Sequence, residues 1–374
     1  MNKAAETQIS SIHYNLSYFV ITNMNDLFDY KNFSTYRAPL MGIAILGVLM
    51  VHSTDWAKSV INLRPLVFPF WRLVYTEGFL FLSGFGLYYS FTKDGNIKSF
   101  YHKRILRLLL PFMIIVLPFY LFDYIVGMYG IRLEFYNTKL FLLAESGLYF
   151  FFYGNINSSM WYISMTLLLY ALFPWIYRFI FSKNAKKRSV LLIAISIFLC
   201  FVLYSFAPDY YFKIKIGIEK IPVFIAGIFV GFQAMNNRKM KNRDIFLLIL
   251  ATYFCDSCVI WLNAAYPYAE MLLRFCCMIS IAALFNYTST STITTKIVDF
   301  LGWFGTYSLE LYLLHLLFYN LFINLVFTIL QIESTPATLG LIAVQNLVIS
   351  ISLCKPVHNG INLLLKGKDS KKCG

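Results

Sequence analysis

Ile105-Leu-Arg-Leu-Leu-Leu-Pro-Phe-Met-Ile-Ile-Val-Leu-Pro-Phe-Tyr-Leu-Phe-Asp-Tyr-Ile-Val-Gly127 is the stretch whose reading decides the fold. Only Arg107 and Asp123 carry charge across it. At ~1.5 Å rise per residue a helix of this length exceeds the roughly 30 Å hydrocarbon core of a bilayer. Working outward, runs of the same kind lie at 38–54 and 70–91 before it. After it they lie at 161–181, 189–206, 221–235, 244–262, 268–286, 304–330 and 337–354. The sequence therefore predicts an all-α, polytopic integral membrane protein of ten transmembrane helices. The apolar stretch 139–153 is short and holds Glu145 and Gly147, so it reads as a re-entrant or interfacial segment.

Composition agrees. Of 374 residues 59% are apolar, 19% aromatic and 13% charged, with a mean hydropathy of +0.64. A soluble chain carries roughly a quarter charged residues, enough to clothe its surface. Half that supply excludes an ordinary cytosolic enzyme, a disordered scaffold and a secreted disulfide domain. The net charge of +14 would point to nucleic acid in a soluble protein; in a membrane protein it reads first as topology, and no nucleic-acid partner is expected. With ten spans and a cytoplasmic N-terminus, 23 of the 32 Lys+Arg fall on inside segments, eight fall outside and Arg274 lies within a span. That split obeys the positive-inside rule and places both termini in the cytoplasm. The division is a polar N-terminal segment 1–35, a transmembrane domain 36–356 and a basic cytoplasmic tail 357–374. No cleavable signal peptide and no internal repeat is read.

Seven cysteines lie mostly in apolar runs. Cys255 and Cys258 form a CxxC without a second pair at zinc spacing, so they read as small buried hydrophobes and no metal site is expected.

Polar residues inside spans are costly and mark function or structural pairing. His52 closes the first span, about 20 Å along the helix from Pro39, a residue suited to the first helical turn. An imidazole near neutral pKa is a natural acceptor for a hydroxyl proton; the alternative is an interfacial histidine bonded to Ser53, Thr54 or Asp55. At the entry of the third span, Arg104 and Arg107 share a face at i, i+3, with Lys103 and Arg107 at i, i+4. Arginine forks suit phosphates, such as a coenzyme A tail; anchoring to anionic lipid is the alternative. In the ninth span Ser308, Tyr312 and His315 fall on one face, and Glu310 on another. Glu77 and Trp161 are further polar or ring-bearing positions in spans, and Gly84, Gly86, Gly227 and Gly231 read as close helix packing rather than a phosphate loop.

Taken in order, these segments resemble the acyltransferase-3 family, multi-spanning enzymes that acylate extracytoplasmic glycans. The resemblance rests on Gly42-Ile43-Ala44 running to His52, on Phe79 to Phe85, on Lys103-Arg104-Ile105-Leu106-Arg107 through Pro111, and on Trp161-Tyr162-Ile163-Ser164. It continues through Ile221 to Gly227 and Ser308 to His315, covering roughly residues 36–320. It departs at Met41, where the family carries an arginine; Arg37, one turn earlier, is the nearby charge.

The resemblance implies transfer of an acyl group, expected to be acetyl, from cytosolic acyl-CoA to a hydroxyl of an extracytoplasmic or lipid-linked polysaccharide. His52 would be the general base or a transient acyl carrier. Arg104, Arg107 and Lys103 would hold the donor. Arg37, Glu77, Trp161, Tyr307, Glu310, Tyr312 and His315 would line the cavity or orient the catalytic group. No bound cofactor is expected beyond acyl-CoA as substrate; the partners are acyl-CoA, the glycan acceptor and membrane lipids. The location would be a bacterial-type cytoplasmic membrane. The alternative is a transporter of polysaccharide or lipid-linked sugar with Arg274, Glu310 and His315 along its path, although no paired interrupted half-helices recur in the sequence.

Overall fold

The computed structural model describes residues 28–56, 75–131, 133, 135–154, 160–259 and 266–370. The N-terminal residues before 28, the ends of the second and seventh predicted spans (70–74 and 260–262), and Asn155 to Ser159 beside Trp161 lie outside the described residues.

The described chain is a bundle of helices: α1 (Arg37–Trp56), α2 (Thr76–Asp94), α3 (Ile97–Arg104), α4 (Leu110–Met128), α5 (Trp161–Phe181), α6 (Ala185–Phe206), α7 (Pro208–Ile218), α8 (Ile221–Met235), α9 (Asn242–Val259), α10 (Tyr266–Tyr287), α11 (Thr292–Thr306), α12 (Ser308–Ile323) and α13 (Pro336–Ser370). Among the described residues, six helical stretches are long and apolar enough to cross a membrane by length and composition: Ile97–Met128, Trp161–Phe181, Ala185–Phe206, Pro267–Tyr287, Ser308–Ile329 and Pro336–Leu365. Arg37–Ser53 is a shorter apolar helix. A π-helical turn, Ile105–Leu109, joins α3 to α4. The segment read as interfacial folds as two short helices, Thr138–Glu145 and Tyr149–Tyr153. The ninth predicted run is split at Tyr307 into α11 and α12, and α13 continues unbroken past residue 356, with Pro356 inside it. A strand pair, β1 (Phe28–Asp29) with β2 (Lys239–Met240), ties the N-terminal segment to the α8–α9 turn.

Helix direction follows from how glycines meet carbonyls. A Cβ at Gly42 would fall 1.9 Å from the Leu301 carbonyl oxygen, and one at Gly305 1.9 Å from that of Ala38. Helical Cβ atoms lean toward the N-terminus while carbonyls point toward the C-terminus, so this reciprocal contact marks parallel helices with Gly42 beside Gly305. The same residue offset, 263, continues across the break at Tyr307 and sets His52 beside His315. Gly84 and Gly227 show the same reciprocity, against the carbonyls of Phe224 and Phe81, so α2 and α8 are also parallel. Small residues let backbones approach where side chains would hold them apart.

The bundle thus has two functional ends. One holds Arg37, Lys93 and Arg104, the β1–β2 pair and the α5–α6 turn. The other holds His52, Glu77, Trp161 and Lys220.

Candidate functional site

His52 stands three turns beyond the Gly42–Gly305 crossing. Its Nδ1 lies 2.8 Å from Nε2 of the fully buried His315. The rings are within 19° of coplanar with centroids 5.1 Å apart, about the N···N distance plus two ring radii. They meet edge to edge, in line for a hydrogen bond, rather than face to face. His315 Nδ1 lies 2.8 Å from the Leu311 carbonyl oxygen. A carbonyl only accepts, so Nδ1 carries the proton and, in the neutral pair, Nε2 is the acceptor. His52 must then donate from Nδ1, which leaves its Nε2 with the lone pair a base requires. Of the alternative partners, the Ser53 hydroxyl donates to the Leu49 carbonyl at 2.7 Å, while the side chains of Thr54 and Asp55 lie outside the described residues.

Tyr312, one turn before His315, places its ring 6.0 Å from the His315 ring and 5.4 Å from Tyr162. Tyr162 in turn meets Phe79 and Trp161. Glu310 faces the other way, as its position on the helix predicts: its Oε1 lies 2.8 Å from His358 Nδ1 on α13. Tyr307 sits with its ring against Trp303 and edge-on to His358 at 5.1 Å.

At the opposite end of α1, Arg37, Arg104, Arg107 and Lys93 converge on a pocket of about 260 Å³ that Ser83, Ser90, Tyr89 and Tyr170 complete. Among the described residues no acidic side chain lines it. The helix begins at Arg37, one residue before the predicted run 38–54, with Pro39 in the first turn where a missing N–H costs nothing. Room for the Arg37 guanidinium comes from Gly86, where an added Cβ would lie 3.1 Å from Nη2. Arg104 stacks over Phe100 and Tyr170, at 5.6 and 6.0 Å. Its buried Nε has no hydrogen-bond partner among the described residues, which leaves a donor in a cationic recess. Lys103 stands apart: its Nζ pairs with Asp94 at 2.8 Å and is half exposed. With the bond from Lys103 and a second from Ser99, the Asp94 carboxyl is held below the usual carboxylate range. Lys103 therefore closes the α2–α3 corner, while Lys93 supplies the fourth cation of the pocket.

Glu77 lies in a buried ionic cluster near the His52 end. It pairs with Lys220 and, at 2.5 Å, with Arg274, which also bonds Glu270 at 2.8 Å. Two carboxylates thus balance two cations. Lys220 lies 5.8 Å over the Trp161 ring and Arg274 5.2 Å over Tyr75. The residues that the sequence grouped as one cavity therefore fall into four assemblies: Arg37 in the cationic pocket at the far end of α1, the histidine pair with Tyr312, the Glu310–His358–Tyr307 cluster, and the Glu77 ion cluster with Trp161. Reading the sequence missed Lys93, Tyr170, Lys220, Glu270 and His358. Only complementary charge within spans, Glu77 and Arg274, hinted at any of them. Gly86, read as a packing residue, instead makes space for Arg37. Cys255 and Cys258 are free thiols.

A helical membrane protein with an imidazole pair at one level, His315 buried and His52 part-exposed, and an arginine-lined pocket at another fits a class that transfers or moves polar groups. The family comparison makes it specific: residues 40–355 match the acyltransferase-3 family, described as an acyltransferase domain. The match covers nearly the whole chain, and the protein belongs to that family as a membrane acyltransferase. No curated protein and no solved structure matches it.

Proposed function

We propose that the protein moves an acyl group, in the simplest case acetyl, from cytosolic acyl-CoA to a hydroxyl of an extracytoplasmic or lipid-linked glycan. In this reading the chain crosses a bacterial-type cytoplasmic membrane ten times. Both termini and the Arg37 end face the cytosol, where most of the basic residues fall.

The observation that carries the proposal is that the cationic pocket and the histidine pair occupy two ends of one helix. Arg37 and His52 are fifteen residues apart on α1, about 22 Å of helix. A pantetheine arm of ~15 bonds, each of about 1.5 Å, reaches roughly 20 Å when extended. Phosphates held by Arg37, Arg104, Arg107 and Lys93 would therefore present a thioester near His52. His52 Nε2 would take the proton from the acceptor hydroxyl as its oxygen attacks the thioester carbonyl. The C–S bond breaks, and the coenzyme A thiolate takes that proton back from the imidazolium. His315 keeps His52 Nδ1–H engaged throughout, so Nε2 is the nitrogen that gains the proton and gives it up. Trp161 and the polar Glu77 cluster lie on the acceptor side, where a ring and paired charges suit a sugar.

The test is the O-acyl content of envelope glycans, by mass, from membranes with the native protein, His52→Ala or His52→Gln at matched protein levels. Loss of the acyl mass in both variants is expected; acylation that persists overturns the assignment. Arg104→Ala and Arg107→Ala should each raise KM for acyl-CoA about tenfold or more, the worth of a charge-assisted hydrogen bond. An unchanged KM removes the donor role.

A further inference from the structure

One large recess is left unused by the acyl-transfer reading. It measures about 1040 Å³ and lies at the Arg37 end between the α5–α6 turn, the end of α8, β2 and the start of α9. Among the described residues, Lys183, Lys186, Arg238, Lys239 and Lys241 line it against one acid, Asp244. Beneath the cations the walls turn aromatic, with Tyr177, Phe181, Phe229 and Phe232.

Three features show a built recess rather than a scatter of surface lysines. First, β1–β2 pairing fixes Lys239 opposite Asp29, and the α8–α9 turn is set by Asn237 in the left-handed region at φ 55°. Second, the N-terminus of the 22-residue helix α6 opens into the cavity through Asn184, Ala185 and Lys186. The Asn184 side chain caps Lys187 N–H there, and unpaired first-turn N–H groups favour an anion. Third, the two helices that start at the recess carry exposed apolar residues further along. On α6, Val190, Leu191 and Phe198 are exposed, and on α9 Phe246, Leu247 and Leu250.

Cations at the rim, rings below and apolar rows beyond match the polarity gradient of one molecule. We propose that this recess holds an anionic phospholipid, its headgroup phosphate among Lys183, Lys186 and Lys239 and its chains along α6 and α9. Basic pockets between helices at the cytoplasmic face are suited to such headgroups. A soluble nucleotide shares the phosphate chemistry but has no use for the exposed apolar rows, which favours the lipid. The inference stands apart from acyl transfer, because its readout is lipid retention.

The experiment is native mass spectrometry of the full chain in detergent, titrated with phosphatidylglycerol or phosphatidylcholine. The native protein should retain phosphatidylglycerol preferentially. Each lysine removed from an anionic lipid weakens binding about fivefold, so the Lys183→Gln, Lys186→Gln double variant should lose about 25-fold. The Lys183→Arg, Lys186→Arg double variant should keep it, and unchanged thermal unfolding shows that the glutamine variant is folded. Equal retention of the two lipids, or full retention of phosphatidylglycerol by the glutamine variant, overturns the proposal. So does displacement of the lipid by equimolar adenosine 3′,5′-bisphosphate, which would assign the recess to a soluble nucleotide.

Discussion

Adding one methyl group at Gly42 tests whether the α1–α11 crossing sets the histidine pair. A Cβ there would lie 1.9 Å from the Leu301 carbonyl oxygen, whereas ordinary contact begins near 3.4 Å. The obstacle is backbone, which cannot rotate aside, so the helices must part by about 1.5 Å. A rigid displacement of that size at His52 stretches its 2.8 Å bond to His315 beyond 4 Å, past any hydrogen bond. His52 then loses the partner that holds its lone pair on Nε2. Correctly placed proton transfer contributes about 10²- to 10⁴-fold to a rate, so Gly42→Ala should lower kcat by at least ~100-fold. Gly305→Ala should do the same, because its Cβ would meet Ala38 at the same 1.9 Å. Since parting the helices once makes room for both methyls, the double variant should be little worse than either single one. Gly360→Ala, with nothing within 4 Å of its added Cβ, is the control and should be fully active. The assay is acyl transfer in membranes at matched protein levels. Full activity in Gly42→Ala, or strictly multiplicative losses in the double variant, would refute the reasoning.

Three further outcomes follow from the same geometry. His315→Ala should cut kcat by about 10²- to 10⁴-fold, while His315→Gln, which still offers an acceptor to His52 Nδ1–H, should retain more activity; equal loss in both would deny the tautomer role. Gly86→Ala presses on the Arg37 guanidinium at 3.1 Å, a flexible group, so KM for the acyl donor should rise a few-fold with thermal stability unchanged. An unaltered KM would show that the position of Arg37 does not matter. Glu77→Gln removes the anion shared by Lys220 and Arg274, and should cost about 3–5 kcal/mol as buried cations lose their counter-charge. The check is thermal unfolding of the detergent-solubilised protein; an unshifted transition would contradict the buried-pair account.

The sequence by itself determined the solvent and therefore the fold class. Runs such as Ile105–Gly127 cannot be clothed in water, and a helix satisfies its own backbone where no water reaches. It also singled out His52, Arg104, Arg107 and His315, because a polar group in an apolar run stands out against its neighbours. Helical periodicity separated Glu310 from Tyr312 and His315, and Glu310 indeed turns to His358. What only the tertiary structure decided is partnership. His52 and His315 are 263 residues apart, and nothing in either local pattern names the other. Their meeting depends on a backbone crossing at Gly42 and Gly305, three turns away, and on the same register surviving the break at Tyr307. Lys103 and Lys93 make the same point. Both are basic residues at helix ends, yet one pairs with Asp94 and the other enters the arginine pocket. Hydrophobic patterning is local and additive along the chain, so it is legible residue by residue. Pairing of buried polar groups depends on which helix faces meet, and that is fixed by packing between segments remote in sequence.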